Sequence, residues 1–182
     1  MAKKCLLSYG LWYDKYTRFQ VKYYRDSRIG GQRMTDYQLL IQQMESLAED
    51  SSDIIPVMAN VSALLFHSME NINWAGFYLV KEDFLQLGPF QGKVACMMIR
   101  KGHGVCGTAW AEDTMQLVPD VHAFPGHIAC DSNSRSEIVV PIHRSGEVAA
   151  VLDIDSPLLS RFTEDDAAGL KALVSSLEKI IM

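Results

Sequence analysis

What this chain lacks narrows its chemistry first. It has no run of about 20 apolar residues, so no membrane span is expected. It has no Gly-rich phosphate loop, no dinucleotide fingerprint and no Gly-x-Ser-x-Gly elbow, which removes the common nucleotide-dependent and serine-hydrolase classes. Four cysteines in 182 residues fall short of a secreted disulfide scaffold. No Cys-x-x-Cys pair and no regular histidine spacing accompanies His103, His122 and His127, so neither a metal nor another cofactor is expected. A net charge of −5 lacks the basic excess that tracking a polyanion requires, so nucleic acid is not an expected partner.

The charge is unevenly spread. Residues 1–33 hold eight basic and two acidic residues, net +6, while the remainder holds nine basic and twenty acidic residues, net −11. The chain therefore reads as a basic N-terminal extension, 1–33, followed by one domain, 34–182, long enough to bury a substantial core. Low cysteine use and the absence of a clear cleavage site point to a reducing, cytoplasmic setting, although a basic, acid-poor arm also suits organelle targeting.

Tyr37, Leu40, Ile41, Met44 and Leu47 fall on one helical face, and a second helix is expected from Ile54 to Met69 with Pro56 in its first turn. Strands are expected at Trp74–Val80, Phe84–Gly88 and Val94–Ile99, the last containing Cys96. A short helix from Val105 to Glu112 carries Cys106, residues 113–135 read as irregular, and two further strands, Glu137–Ile142 and Glu147–Ile154, meet at a tight turn of Ser145 and Gly146. Thr163 and Asp166 form a capping box for a final helix lined by Ala167, Leu170, Val174, Leu177 and Ile181. The sum is an α+β domain with a central antiparallel sheet.

Chemistry concentrates between residues 96 and 155. Cys130, in a loop after Pro125 and Gly126, is the candidate nucleophile, and backbone N–H groups at Ile128, Ala129 and Cys130 could form a nest for a carboxylate that also favours a thiolate. Cys96 and Cys106 are candidates to capture an oxidised Cys130 as a disulfide. Asp153 and Asp155, two apart in a strand, share a face, and Asp153 between Leu152 and Ile154 needs a partner, such as a cation from a ligand. A three-residue turn would set Glu137 opposite Asp153; a two-residue turn would turn it to the other face. Trp74 and Tyr78, whose even spacing permits a shared strand face, suit the apolar wall of a small-molecule site, with core packing as the plainer alternative.

Taken in order, Trp74, Cys96, Cys106, the segment Gly126-His127-Ile128-Ala129-Cys130-Asp131-Ser132, Glu137 and Asp153-Ile154-Asp155 resemble the free methionine-(R)-sulfoxide reductases, which use a GAF domain. The resemblance runs from about Tyr37 to Ile181 and excludes the basic arm. It implies a six-stranded antiparallel sheet flanked by helices, often dimeric. It implies Cys130 as catalytic cysteine, Cys96 as principal resolving partner and Cys106 as a further redox participant. Glu137 and Asp155 would engage the sulfoxide oxygen, Asp153 the substrate ammonium, Trp74 and Tyr78 the methyl end, and amides near Ile128, Ala129 and Cys130 the carboxylate. The implied substrate is free methionine-(R)-sulfoxide and the implied reductant thioredoxin. The competing expectations are a ligand-binding GAF sensor and a cysteine redox switch, neither with turnover.

Overall fold

The computed structural model describes residues 28–29, 32–33, 35–49, 51, 53–126 and 131–181. The described residues divide after Met34. On the N-terminal side, Arg28–Ile29 pairs antiparallel with Gln32–Arg33. The rest of the extension lies outside the described residues.

The unit from Thr35 onward begins with two helices, α1 (Tyr37–Ala48) and α2 (Ile54–Ser68). Both start where an aspartate can accept from a free helix N–H: Asp36 Oδ1 from Leu39 N and Asp53 Oδ1 from Ile55 N, each at 3.0 Å. Six strands follow, with a short helix after the third. They are β1 (Trp74–Lys81), β2 (Phe84–Gly92), β3 (Met98–Arg100), β4 (Gln116–Val118), β5 (Ser136–Arg144) and β6 (Glu147–Ser156), with α3 (Gly104–Glu112) between β3 and β4. Helix α4 (Glu164–Ile181) closes the domain. Its expected capping box is present: Thr163 Oγ1 accepts from Asp166 N at 3.2 Å while Asp166 Oδ2 accepts from Thr163 N at 2.9 Å.

All strand pairs are antiparallel, in the order β3-β2-β1-β6-β5-β4. The α+β reading with a six-stranded antiparallel sheet is correct. Alternation sorts the two faces. Ala75, Phe77, Ile138, Val140, Leu152 and Ile154 are buried on one, against which α2 and α4 pack. Trp74, Tyr78, Val139 and Val151 are buried on the other, with Val105, Cys106, Ala109 and Trp110 of α3 above them.

Three local expectations fail, each for a physical reason. The strand expected at Val94–Ile99 is only Met98–Arg100, so Cys96 sits in the preceding loop, partly exposed rather than in the core. Leu87 N donates to Met97 O at 3.0 Å just before the strand, and side chains hold the carbonyls further back: Trp74 Nε1 donates to Lys93 O at 3.2 Å and Tyr78 Oη to Cys96 O at 3.1 Å. The second strand runs to Gly92, beyond the expected Gly88, through an irregularity between the Gly76–Phe90 and Tyr78–Leu87 pairs. Pro89 falls in that irregularity, where its missing N–H costs no ladder bond. Within the stretch 113–135, expected to be irregular, Gln116–Val118 adds an edge strand to β5 and Val121–Ala123 forms one 3-10 turn.

Candidate active site

The register of β5 on β6 decides the site. Ser145 and Gly146 both have positive φ, 56° and 84°, and close a two-residue turn with Arg144 opposite Glu147. Two-residue closure was expected to turn Glu137 away from the aspartates. It does not, because Ile142 pairs with Ala150 and His143 with Val148, leaving Ala149 as an extra, bulged residue. That residue shifts the remaining pairs by one, so Glu137 lies opposite Asp155 and Val139 opposite Asp153. On the other side of β6, Asp155 faces Trp74, Asp153 faces Gly76 and Val151 faces Tyr78. Glu137, Asp153, Asp155, Trp74 and Tyr78 therefore share one sheet face.

Helix α3 roofs this face and contributes Cys106. A pocket of about 390 Å³, a figure that includes solvent space at its mouth, is lined by Tyr78, His103, Cys106, Glu137, Asp153 and Asp155, together with Ile99, Gly104, Val105, Asp131 and Ser134. Trp74 stands behind Tyr78, stacked on it at 5.9 Å and on Phe90 at 5.3 Å. Cys96 is linked to the pocket wall through its carbonyl, which accepts from the Tyr78 hydroxyl. Cys130, Ile128 and Ala129 lie outside the described residues.

The electrostatics of the pocket are set by burial and by like charges. Glu137 and Asp153 are each only 6% exposed, and among the described residues no lysine or arginine lines the space with them. Burial, then the charges of Asp153 and Asp155, pushes Glu137 well above the usual carboxyl range. Asp155 is raised well above it too, by burial and then by Asp153, with a hydrogen bond from Ser134 opposing. Asp153 is raised by burial to about 7, held from going higher by hydrogen bonds from Cys106 and Glu137. Burial and the neighbouring carboxylates thus favour a protonated Glu137, able to donate within the cluster. The Cys106 thiol, 3.8 Å from Glu137 Oε1, is driven up by burial and then by Asp153 and Glu137, so it stays a thiol.

One atom in this cluster is incomplete. Among the described residues Asp153 Oδ1 is buried without a hydrogen-bond partner, an expensive condition for a carboxylate. A protonated amine entering the pocket would satisfy it.

Sequence reasoning passed over a supporting network at the pocket edge. Asn73 Nδ2 donates to Asp131 Oδ2 at 3.1 Å and to Ser134 Oγ at 3.0 Å, and Lys93 Nζ pairs with Asp131 at 3.2 Å. Asp131 is held below its ordinary range, first by the Asn133 N–H that its Oδ1 accepts at 3.0 Å. The available signal was Asp131-Ser132-Asn133, a turn-forming run in which an aspartate bonds the backbone two residues on.

Residues 53–181 match the GAF domain family. The chain is 52% identical over 153 residues to protein YtsP of Bacillus subtilis, covering 83% of this chain and 94% of that one. It is 49% identical over 145 residues to free methionine-R-sulfoxide reductase of Escherichia coli, covering 80% and 88%. Among solved structures, fRMsr of Staphylococcus aureus in complex with substrate superposes with a TM-score of 0.78 at 50% identity, covering 82% of this chain and 97% of that one. Fold, carboxyl pocket and kinship agree, and the chain belongs to the GAF-domain free methionine-R-sulfoxide reductases.

Proposed function

We propose that the chain reduces free L-methionine-(R)-sulfoxide to methionine by thiol chemistry at Cys130, with Cys96 closing a disulfide that thioredoxin reopens. The observation that carries the reading is the unpartnered Asp153 Oδ1 beside a protonated Glu137 in a pocket walled by Tyr78. A substrate ammonium completes Asp153. Glu137, with Asp155 beside it, gives a proton to the sulfoxide oxygen, the change that lets oxygen leave sulfur. General acid help of this kind is worth roughly 10²–10⁴-fold. The substrate carboxylate goes to amides near Ile128, Ala129 and Cys130, and the methyl end to Trp74 and Tyr78. A peptide-bound methionine sulfoxide has neither free terminus, so it gains neither contact.

The atoms balance in two steps. The Cys130 thiol takes the oxygen and becomes a sulfenic acid as methionine leaves. The Cys96 thiol then attacks that sulfur, forming the disulfide and releasing water. Cys106 suits the resolving role less, because its thiolate is disfavoured by burial and by two carboxyls. A dithiol such as thioredoxin returns both thiols by exchange, which requires a reducing compartment such as the cytoplasm.

The test is incubation with free methionine-(R)-sulfoxide, its S epimer and a peptide-bound form, each with a dithiol. Methionine from the first alone is expected, and Cys130→Ser should abolish it. Binding without release would make the chain a GAF sensor, and full activity in Cys130→Ser would move the nucleophile elsewhere.

A further inference from the structure

Resting on that reading, we infer that the Tyr78 hydroxyl is a positioning group for the resolving cysteine, separate from the part its ring plays in the pocket wall. The loop between β2 and β3 that carries Cys96 is fastened to the site by side chains. Trp74 Nε1 holds the carbonyl of Lys93 at 3.2 Å, and Tyr78 Oη holds the carbonyl of Cys96 itself at 3.1 Å. The two rings stack on each other, 24° from parallel, so both tethers issue from one rigid aromatic pair on β1.

A third tether faces the other way. Lys93 Nζ pairs with Asp131 at 3.2 Å, and Asp131 is the residue that follows Cys130 in the chain. Asn73, immediately before β1, holds the other side of Asp131 at 3.1 Å. The Cys96 loop is thus tied at its start to the segment bearing the nucleophile and at Cys96 to the substrate wall. On either side of Cys96 the side chains are open, Val94 87% and Met97 71% exposed, while Ala95 and Cys96 rest partly buried against the core cluster and Leu87 N donates to Met97 O at 3.0 Å. The Tyr78 bond is the one side-chain hydrogen bond made directly to the Cys96 backbone among the described residues, and it adds to that packing in placing the residue.

Disulfide closure is sensitive to such placement, because the two Cα atoms must come within about 7 Å with a fixed sulfur dihedral. Removing the Tyr78 hydroxyl leaves the Cys96 carbonyl to water and widens the positions the loop samples. Resolution should slow, while attack on the sulfoxide, which precedes it, should not slow in proportion.

The experiment is a single turnover with free methionine-(R)-sulfoxide on the pre-reduced full-length protein. It follows methionine formation and, by trapping with a cyclic 1,3-diketone, the lifetime of the sulfenic acid. In Tyr78→Phe the ratio of resolution rate to methionine-formation rate should fall roughly fivefold, the kinetic equivalent of one net hydrogen bond. Lys93→Gln, an exposed change that cuts only the outer tether, should lower the same ratio by a smaller factor. Equal slowing of both steps in Tyr78→Phe would mark general damage to the pocket and overturn the inference, as would an unchanged ratio. The underlying reading fails differently: wild-type protein would release no methionine, or Cys96→Ser would close its disulfide at the wild-type rate.

Discussion

Glu137 and Asp155 are direct cross-strand partners, two carboxyls set side by side in a sheet that could have separated them by one residue. Like charges so placed are destabilising. Here the repulsion is relieved by protonation, and protonation is what a group delivering a proton to a sulfoxide oxygen needs. In the proposed reaction the unfavourable pairing and the acid chemistry share this origin.

Asp153 provides the clearest pH dependence. It ionises near pH 7, and only the ionised form attracts an ammonium strongly. Methionine, the product, should therefore bind Cys130→Ser protein more tightly as pH rises from about 6 to 8. Asp153→Asn should bind weakly and without that rise. Titration calorimetry across this range checks it, and an affinity in Asp153→Asn that still climbs with pH would assign the dependence to another group.

The same residue should cost stability. A carboxyl whose pKa folding raises holds its proton more tightly in the folded chain. Its contribution to stability is then full below the ordinary aspartate range and is lost as pH climbs toward about 7. Asp153→Asn removes the penalty, so its melting temperature should exceed that of wild type by roughly 3 °C or more at pH 8. The gap should shrink at pH 5. A variant less stable than wild type at pH 8 would mean that Asp153 is held by more than its present partners.

Glu137→Gln keeps the shape and a donor but removes the transferable proton. The turnover rate should fall by roughly 10²–10⁴-fold, with KM within a few-fold of wild type. Steady-state kinetics decide, and a large rise in KM at unchanged turnover would recast Glu137 as a binding group.

Gly76 is required by packing. A Cβ there would lie 2.7 Å from the Trp74 ring and against the Phe90 Cβ, both held in the aromatic stack. Gly76→Ala should cost about 1–3 kcal/mol as overpacking, and it should raise KM through the displaced Trp74. Urea denaturation with parallel kinetics tests both effects, and unchanged stability would show that the stack yields freely.

Much of the fold was legible because it depends on local patterns. The helices around Leu40, Val61 and Leu170 follow from apolar spacing, from Pro56 in the first turn of the second and from the capping box at Thr163 and Asp166 in the last. The hairpin at Ser145 and Gly146 follows from residues that tolerate positive φ. The length of β3 was not legible. The loop before it is held by bonds from Trp74 and Tyr78, about twenty residues away, a tertiary arrangement that the local apolar pattern does not contain. Edge strand β4 was hidden likewise, since three residues carry too little pattern until β5 pairs with them.

For the site the division is the same. The residue types and order from Trp74 to Asp155 carried the resemblance, and the two-residue spacing put Asp153 and Asp155 on one face by strand geometry alone. Whether Glu137 joined them turned on Ala149, a bulge that no turn-counting rule reveals, because a bulge is stabilised by contacts on both strands at once. Identity and order thus belonged to the chain. The meeting of three carboxyls beside a thiol belonged to the folded sheet, because charge repulsion and burial act through space and not along the sequence.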